Sequence, residues 1–135
     1  DDLVQALGGA SFTRAMTVVE IGAYLGYTTR FLAERFRAVV ALEREPEYVS
    51  RARSFLAGLD AAEVLQVDTL VDDWKPVAVA AQKQKGADVV LIDGDHSYES
   101  VLNDLNFALL AGLGPRSRRP RFVALDDYPQ RAEVG

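Results

Sequence analysis

Cysteine is absent from this 135-residue chain, and histidine occurs once. That arithmetic excludes a disulfide framework, thiolate chemistry and a structural zinc site. No apolar run approaches the length of a membrane span, and no signal peptide is visible. A soluble, cytoplasmic protein with no membrane partner is therefore expected. Excess positive charge is lacking as well. The net charge of −5 argues against nucleic acid or an anionic membrane surface as the main partner. What is present is ordinary globular usage, 49% hydrophobic and 26% charged, enough for one domain over residues 1–135 with one core.

The chain is organised around the stretch from Val18 to Thr29. Thr17 to Ile21 is β-branched and apolar with one acid, Glu20, and reads as a short buried strand. Gly22 and Gly26 punctuate a turn, and Phe31, Leu32 and Phe36 follow at helical spacing. Strand, glycine loop and helix in that order make a ligand cradle. Glycine lets the backbone approach a ligand, and the following helix offers free N–H groups. A tight turn with no ligand is the plain alternative. A dinucleotide fingerprint G-x-G-x-x-G is missing: counted from Gly22, its second and third glycines would fall at Tyr24 and Tyr27. A pyrophosphate could not sit tightly on that backbone.

The pattern repeats down the chain. Asp2 to Leu7 reads as the end of a helix stopped by Gly8 and Gly9. Thr28 or Thr29 can cap the first full helix, which is expected to reach about Arg37. Ala38 to Glu43 is a second strand. Pro46 suits the first turn of a helix that Gly58 stops, with Tyr48, Val49, Ala52, Phe55 and Leu56 on its inner face. Val64 to Val67 is a third strand. Pro76 opens a helix closed by Gly86, and Ala87 to Ile92 is a fourth strand. Ser97 can cap a long helix with Val101, Leu105, Ala108 and Leu109 inward, and Phe122 to Leu125 is a fifth strand. Strands alternate with helices, and several are apolar on both faces. The prediction is an α/β, Rossmann-like, doubly wound parallel sheet in the order 3-2-1-4-5.

Such sheets bind ligands at the carboxyl ends of their strands. Glu43, Asp68, Asp93 and Asp126 each end a strand, and Glu20 is the penultimate residue of the first. Glu43 lies 21 residues after Gly22, where an acid accepts hydrogen bonds from ribose hydroxyls; a solvated acid pairing with Arg44 is the alternative. NAD and S-adenosylmethionine (SAM) proteins share that feature, so it does not separate them. Asp68, taken by itself, reads as a plain strand-end acid. Trp74 reads as a core or cover residue, and the basic turn at 116–121 as a solvated loop or a hold for an anionic substrate.

The loop E-x-G-x-x-x-G followed by Thr28 and Thr29 resembles motif I of the class I SAM-dependent methyltransferases. The segment Ile92-Asp93-Gly94-Asp95-His96-Ser97-Tyr98-Glu99 resembles the metal-dependent O-methyltransferase group, of catechol, caffeoyl-CoA and macrolide-sugar type. The resemblance runs from about Val18 to Tyr128. It implies SAM as cofactor, with Glu20, Gly22, Ala23, Tyr24, Gly26, Thr28, Glu43, Asp68 and Asp93 around it. It implies Mg²⁺ or Mn²⁺ on Asp93, Asp126 and Asp127, His96 as catalytic base, and a small-molecule hydroxyl as methyl acceptor. Asp127 stands where catechol-type enzymes carry Asn, and His96 where they carry a catalytic Lys; the macrolide-sugar enzymes resemble this chain more closely. The physical chemistry agrees. Neighbouring strand-end carboxylates repel unless a cation joins them, and hard oxygen ligands suit Mg²⁺ or Mn²⁺.

The methyltransferase fold normally continues past the fifth strand with a helix and two more strands, and this chain stops first. A fragment is therefore expected, with an unpaired sheet edge that invites a homodimer. The rival functions are a SAM- or nucleotide-binding module without catalysis, and an NAD(P)-dependent oxidoreductase.

Overall fold

Three strands of continuous β-branched and aliphatic residues form the centre of the sheet. They are β1 (Thr17–Ile21), β2 (Ala38–Glu43) and β4 (Val89–Ile92), and every residue in them is buried. A strand covered on both faces needs no polar alternation, which is why these runs read as unbroken apolar segments. The computed structural model describes residues 2–93 and 97–125. β3 (Ala62–Gln66) and β5 (Phe122–Leu125) are the outer strands. The sheet is parallel throughout, in the order β3-β2-β1-β4-β5, as expected. Val19 aligns with Val40 on one side and Val90 on the other, which brings the strands' carboxyl ends to one edge.

Helices cover both faces. α3 (Tyr27–Ala33) and α4 (Pro46–Phe55) bury Leu32, Val49 and Ala52 against Val18, Val39 and Ala41. On the other face, α5 (Lys75–Lys83) and α6 (Tyr98–Leu110) bury Val77, Ala81 and Phe107 against Val19, Val40 and Val90. Two short helices, α1 (Asp2–Ala6) and α2 (Ala10–Thr13), precede β1. Among the described residues, no helix is long and apolar enough to cross a membrane.

Several local expectations shift. α3 stops at Ala33, short of Arg37, because the chain must turn into β2; the Arg37 N–H already bonds Met16 O at 2.8 Å. Neither threonine caps α3. Its N-cap is Gly26 in a left-handed conformation (φ 94°), and the Thr29 hydroxyl turns inward instead. β3 lies slightly earlier than Val64–Val67, β4 begins at Val89, and the short α2 had no local signal strong enough to show. On α4, Tyr48 and Phe55 are partly exposed and not inward. They meet the rings of Tyr24 and Tyr27 at centroid distances of 6.1 and 4.8 Å. On α6, Leu109 is exposed, while Phe107 is buried edge-on to Trp74. Ser97 caps α6 as expected, accepting from the Ser100 N–H at 3.2 Å.

Candidate functional site

The residue after β1 is where the chain leaves the sheet, and Gly22 (φ 95°) turns it there. The N–H groups of Gly22 and Ala23 both donate to Leu42 O, at 2.9 and 3.0 Å, so the loop is laid across the end of β2. Tyr24 then takes a left-handed conformation (φ 50°), one that costs a non-glycine residue about 1 kcal/mol or more. Its N–H donates to Glu43 Oε1 at 2.8 Å, which offsets that cost.

Glu43 Oε2 accepts from the Glu45 N–H at 3.0 Å. Each carboxylate oxygen thus holds one backbone bond and keeps room for a second. Glu43 is 5% exposed, and Arg44 pairs with Glu45 at 3.7 Å, so the solvated-acid alternative does not hold.

A cavity of about 160 Å³ opens above these groups. Its lining comes from the end of β1 and the turn after it (Ile21, Gly22, Tyr24), from the end of β2 and the start of α4 (Glu43 to Glu45 and Tyr48), from the turn after β3 (Val67 to Leu70), and from Ser100, Asn103 and Asp104 of α6. Asp68 sits in a turn at the cavity. Its Oδ1 accepts the Leu70 N–H at 3.0 Å in a tight turn, and it also lines the cavity.

Glu20 is fully buried on the strand face turned toward α3. Its Oε1 accepts the Thr29 hydroxyl at 2.5 Å, and its Oε2 has no hydrogen-bond partner among the described residues. Burial pushes its carboxyl up to about 8; the Thr29 bond opposes this, and the negative fields of Asp93 and Glu43 add to it. Asp93, 4% exposed, follows β4 and donates its N–H to Ile21 O at 2.9 Å.

Of the nine residues expected around a cofactor, Gly22, Tyr24, Glu43 and Asp68 line the cavity. Glu20, Ala23 and Asp93 are buried close to that edge of the sheet. Gly26 faces α4: a Cβ there would stand 3.2 Å from Leu56 Cδ1 and 3.4 Å from Ala52 Cβ. Thr28 is exposed on α3, outside the cavity lining. His96, Asp126 and Asp127 lie outside the described residues, so Asp93 alone represents the expected metal ligands. Among the described residues, no three carboxylate or imidazole groups gather as a metal cluster.

A hydrogen-bonded cluster that includes cavity-lining residues had not been expected. The Thr69 hydroxyl donates to Asp104 Oδ1 at 2.7 Å, Asn103 Nδ2 donates to Thr69 Oγ1 at 3.2 Å, and Trp74 Nε1 donates to Thr69 O at 2.8 Å. One signal existed in the sequence: Asp104 falls on the same helical stripe as Val101, Leu105 and Ala108, and an acid there needs a buried partner.

A family model described as a methyltransferase domain matches residues 19–128. A search of curated proteins found no match. Among solved structures, the S-adenosylmethionine-dependent methyltransferase SibL in its apo form is 25% identical with a TM-score of 0.60, covering 82% of this chain and 32% of its own. The precorrin 8W decarboxylase of Methanobacterium thermoautotrophicum is 19% identical with a TM-score of 0.60, covering 98% and 65%. The 23S rRNA methyltransferase ErmE is 23% identical with a TM-score of 0.56, covering 83% and 41%. The chain thus spans about a third to two thirds of the length of these structures.

Proposed function

The chain belongs to the methyltransferase domain family, whose model its residues 19–128 match, and on that premise we propose that it is a SAM-dependent methyltransferase. Its reaction in this reading is metal-assisted transfer of a methyl group to a hydroxyl of a small molecule.

The observation that carries the cofactor is the charge of the cavity. Glu43, Glu45, Asp68 and Asp104 line it, and the one lining cation among the described residues, Arg44, is paired with Glu45. A cationic sulfonium and ammonium are welcome in such a site, whereas the diphosphate of a dinucleotide is repelled. SAM supplies, when bound, an electrophilic methyl group on a sulfonium. Gly22 lets the chain turn close beside that ligand, and Glu43 keeps acceptor capacity for two ribose hydroxyls. Glu20, buried on β1 just before that loop, keeps one carboxyl oxygen without a hydrogen-bond partner among the described residues.

His96 is assigned the acceptor's proton, and Asp93, Asp126 and Asp127 the divalent cation. The sequence resemblance and the buried carboxylate of Asp93 support this assignment. Mg²⁺ or Mn²⁺ there would act as a Lewis acid that lowers the acceptor's pKa. Among the described residues β5 pairs only with β4, and its exposed Phe122 and Leu125 suit pairing with a second copy, which sedimentation would test.

The deciding experiment titrates S-adenosylhomocysteine and NADH calorimetrically, then follows methyl transfer to catechol and sugar hydroxyls with Mg²⁺ and with excess chelator. Binding of S-adenosylhomocysteine but not NADH, and transfer lost in chelator, is expected. Undiminished transfer in chelator removes the metal from the reading. Binding of NADH alone overturns it.

A further inference from the structure

We infer that the edge of the sheet opposite the cavity is a docking surface for an anionic lipid bilayer, held by the arginines of the turn before β5 and the lysines of the turn before β4. The inference stands apart from the cofactor reading.

In a parallel sheet the carboxyl ends of the strands share one edge and the amino ends share the other. The cavity takes its lining from the carboxyl ends of β1, β2 and β3. Lys83 and Lys85 precede β4, and Arg116, Arg118, Arg119 and Arg121 precede β5. The basic turn therefore lies at the amino edge, and it does not hold the anionic substrate of a reaction run at the carboxyl edge.

The two turns form one surface. Gly86 is pressed against the second turn, where a Cβ would stand 2.4 Å from Pro115 N. Gln82 Nε2 donates to Gly112 O at 3.0 Å and to Gly114 O at 2.8 Å, and the Ala87 N–H donates to Leu113 O at 2.7 Å. All six cations gathered there are exposed, and among the described residues none of them makes an ion pair. The one acid in these turns, Asp88, accepts the Thr17 N–H at 3.1 Å. A net charge of −5 is a sum over the chain and does not register this segregation.

The backbone is strained at the same place. Lys85 (φ 66°), Arg116 (φ 61°) and Ser117 (φ 61°) are three of the four non-glycine residues with positive φ among the described residues. Glycine would adopt those conformations freely, yet two of the positions carry long cationic side chains. Strain of this kind collects where a surface is used.

The neighbours of the cations distinguish the anion. Single-stranded nucleic acid is held by cations interleaved with rings that stack on bases, whereas a bilayer is held by cations beside apolar side chains that enter its interface. Leu110, 73% exposed, ends α6 just before the second turn, and Leu109 beside it is exposed as well. The exposed Phe122 ring that follows the turn already faces the Arg121 guanidinium, 5.6 Å from its centroid. Arginine forks match the phosphates of lipid headgroups. Docked by this edge, the chain keeps its cavity turned away from the lipid.

The test is co-sedimentation with vesicles of phosphatidylcholine alone and of equal parts phosphatidylcholine and phosphatidylserine, beside an anisotropy titration of a labelled RNA oligonucleotide. Binding to the mixed vesicles and not to the neutral ones is expected, and it should fade as salt is raised. Arg118→Gln combined with Arg119→Gln should lower the partition roughly twentyfold, about fivefold for each cation near an anionic surface. Leu110→Ser should lower it as well. Arg51→Gln, which removes an exposed cation from α4 on the other face of the sheet, should leave it unchanged. Circular dichroism checks that each variant keeps the fold. No binding to the mixed vesicles, equal binding to the neutral ones, or an unchanged partition in the double variant overturns the inference. Tighter binding to the RNA than to the vesicles assigns the edge to nucleic acid and overturns it too.

Discussion

Replacing Glu20 by Gln should remove most of the loss of stability between pH 7 and pH 9 that the parent chain owes to this site. The carboxyl is buried and holds its proton up to about pH 8, against an ordinary value of 4.5. A raised acid binds its proton more tightly folded than unfolded. It therefore contributes its full stability below the unfolded pKa and loses it as pH rises through the folded one. Over the whole window from 4.5 to about 8 the effect is on the order of 5 kcal/mol. At pH 7 the folded carboxyl is still mostly protonated, so on the order of 1 kcal/mol remains to be lost by pH 9. Glutamine keeps the acceptor for Thr29 and has no proton to lose. Urea denaturation of both chains at pH 7 and pH 9 should show the parent falling by on the order of 1 kcal/mol more than Glu20→Gln. Equal losses in the two chains would refute the reasoning, because the carboxyl would then titrate folded as it does unfolded. A greater loss in the variant would reverse its sign.

Gly22→Val should abolish S-adenosylhomocysteine binding in calorimetry, since φ 95° suits glycine and a branched side chain intrudes on the cavity; circular dichroism checks that the fold survives. Glu43→Ala should weaken the same ligand by about 1.5–3 kcal/mol, the scale of hydrogen bonds to a charged group. Methionine analogues without ribose should bind the variant and parent alike, and an equal loss for them would contradict the ribose assignment. Gly86→Ala should destabilise the chain by about 2 kcal/mol or more in urea, because φ is 87° and the new Cβ would stand 2.4 Å from Pro115 N. An unchanged urea midpoint would mean that the turn at Pro115 yields without cost.

The parallel sheet and its order were legible because each buried strand is a run of β-branched and aliphatic residues ended by a turn or an acid. β1, β2 and β5 occupy the residues read for them. The glycine loop was legible because Gly22 marks a backbone conformation that other residues adopt at a cost. The place of Glu43 at the end of β2 was legible because the apolar run of that strand stops there. These are signals carried within a few residues of chain, where local sterics and periodicity decide.

What only the tertiary structure decided depends on residues far apart in sequence. Thr29 reads as a helix cap, yet its hydroxyl goes to Glu20 on the neighbouring strand. Gly26 reads as a ligand contact, yet it makes room for Leu56 and Ala52 of α4. Tyr48 and Phe55 sit at inward spacing, yet they turn out to meet Tyr24 and Tyr27. Thr69 and Asp104 meet across 35 residues of chain. A polar side chain chooses its partner by what is close in space after burial has removed water, and no local pattern records which distant element will be packed beside it.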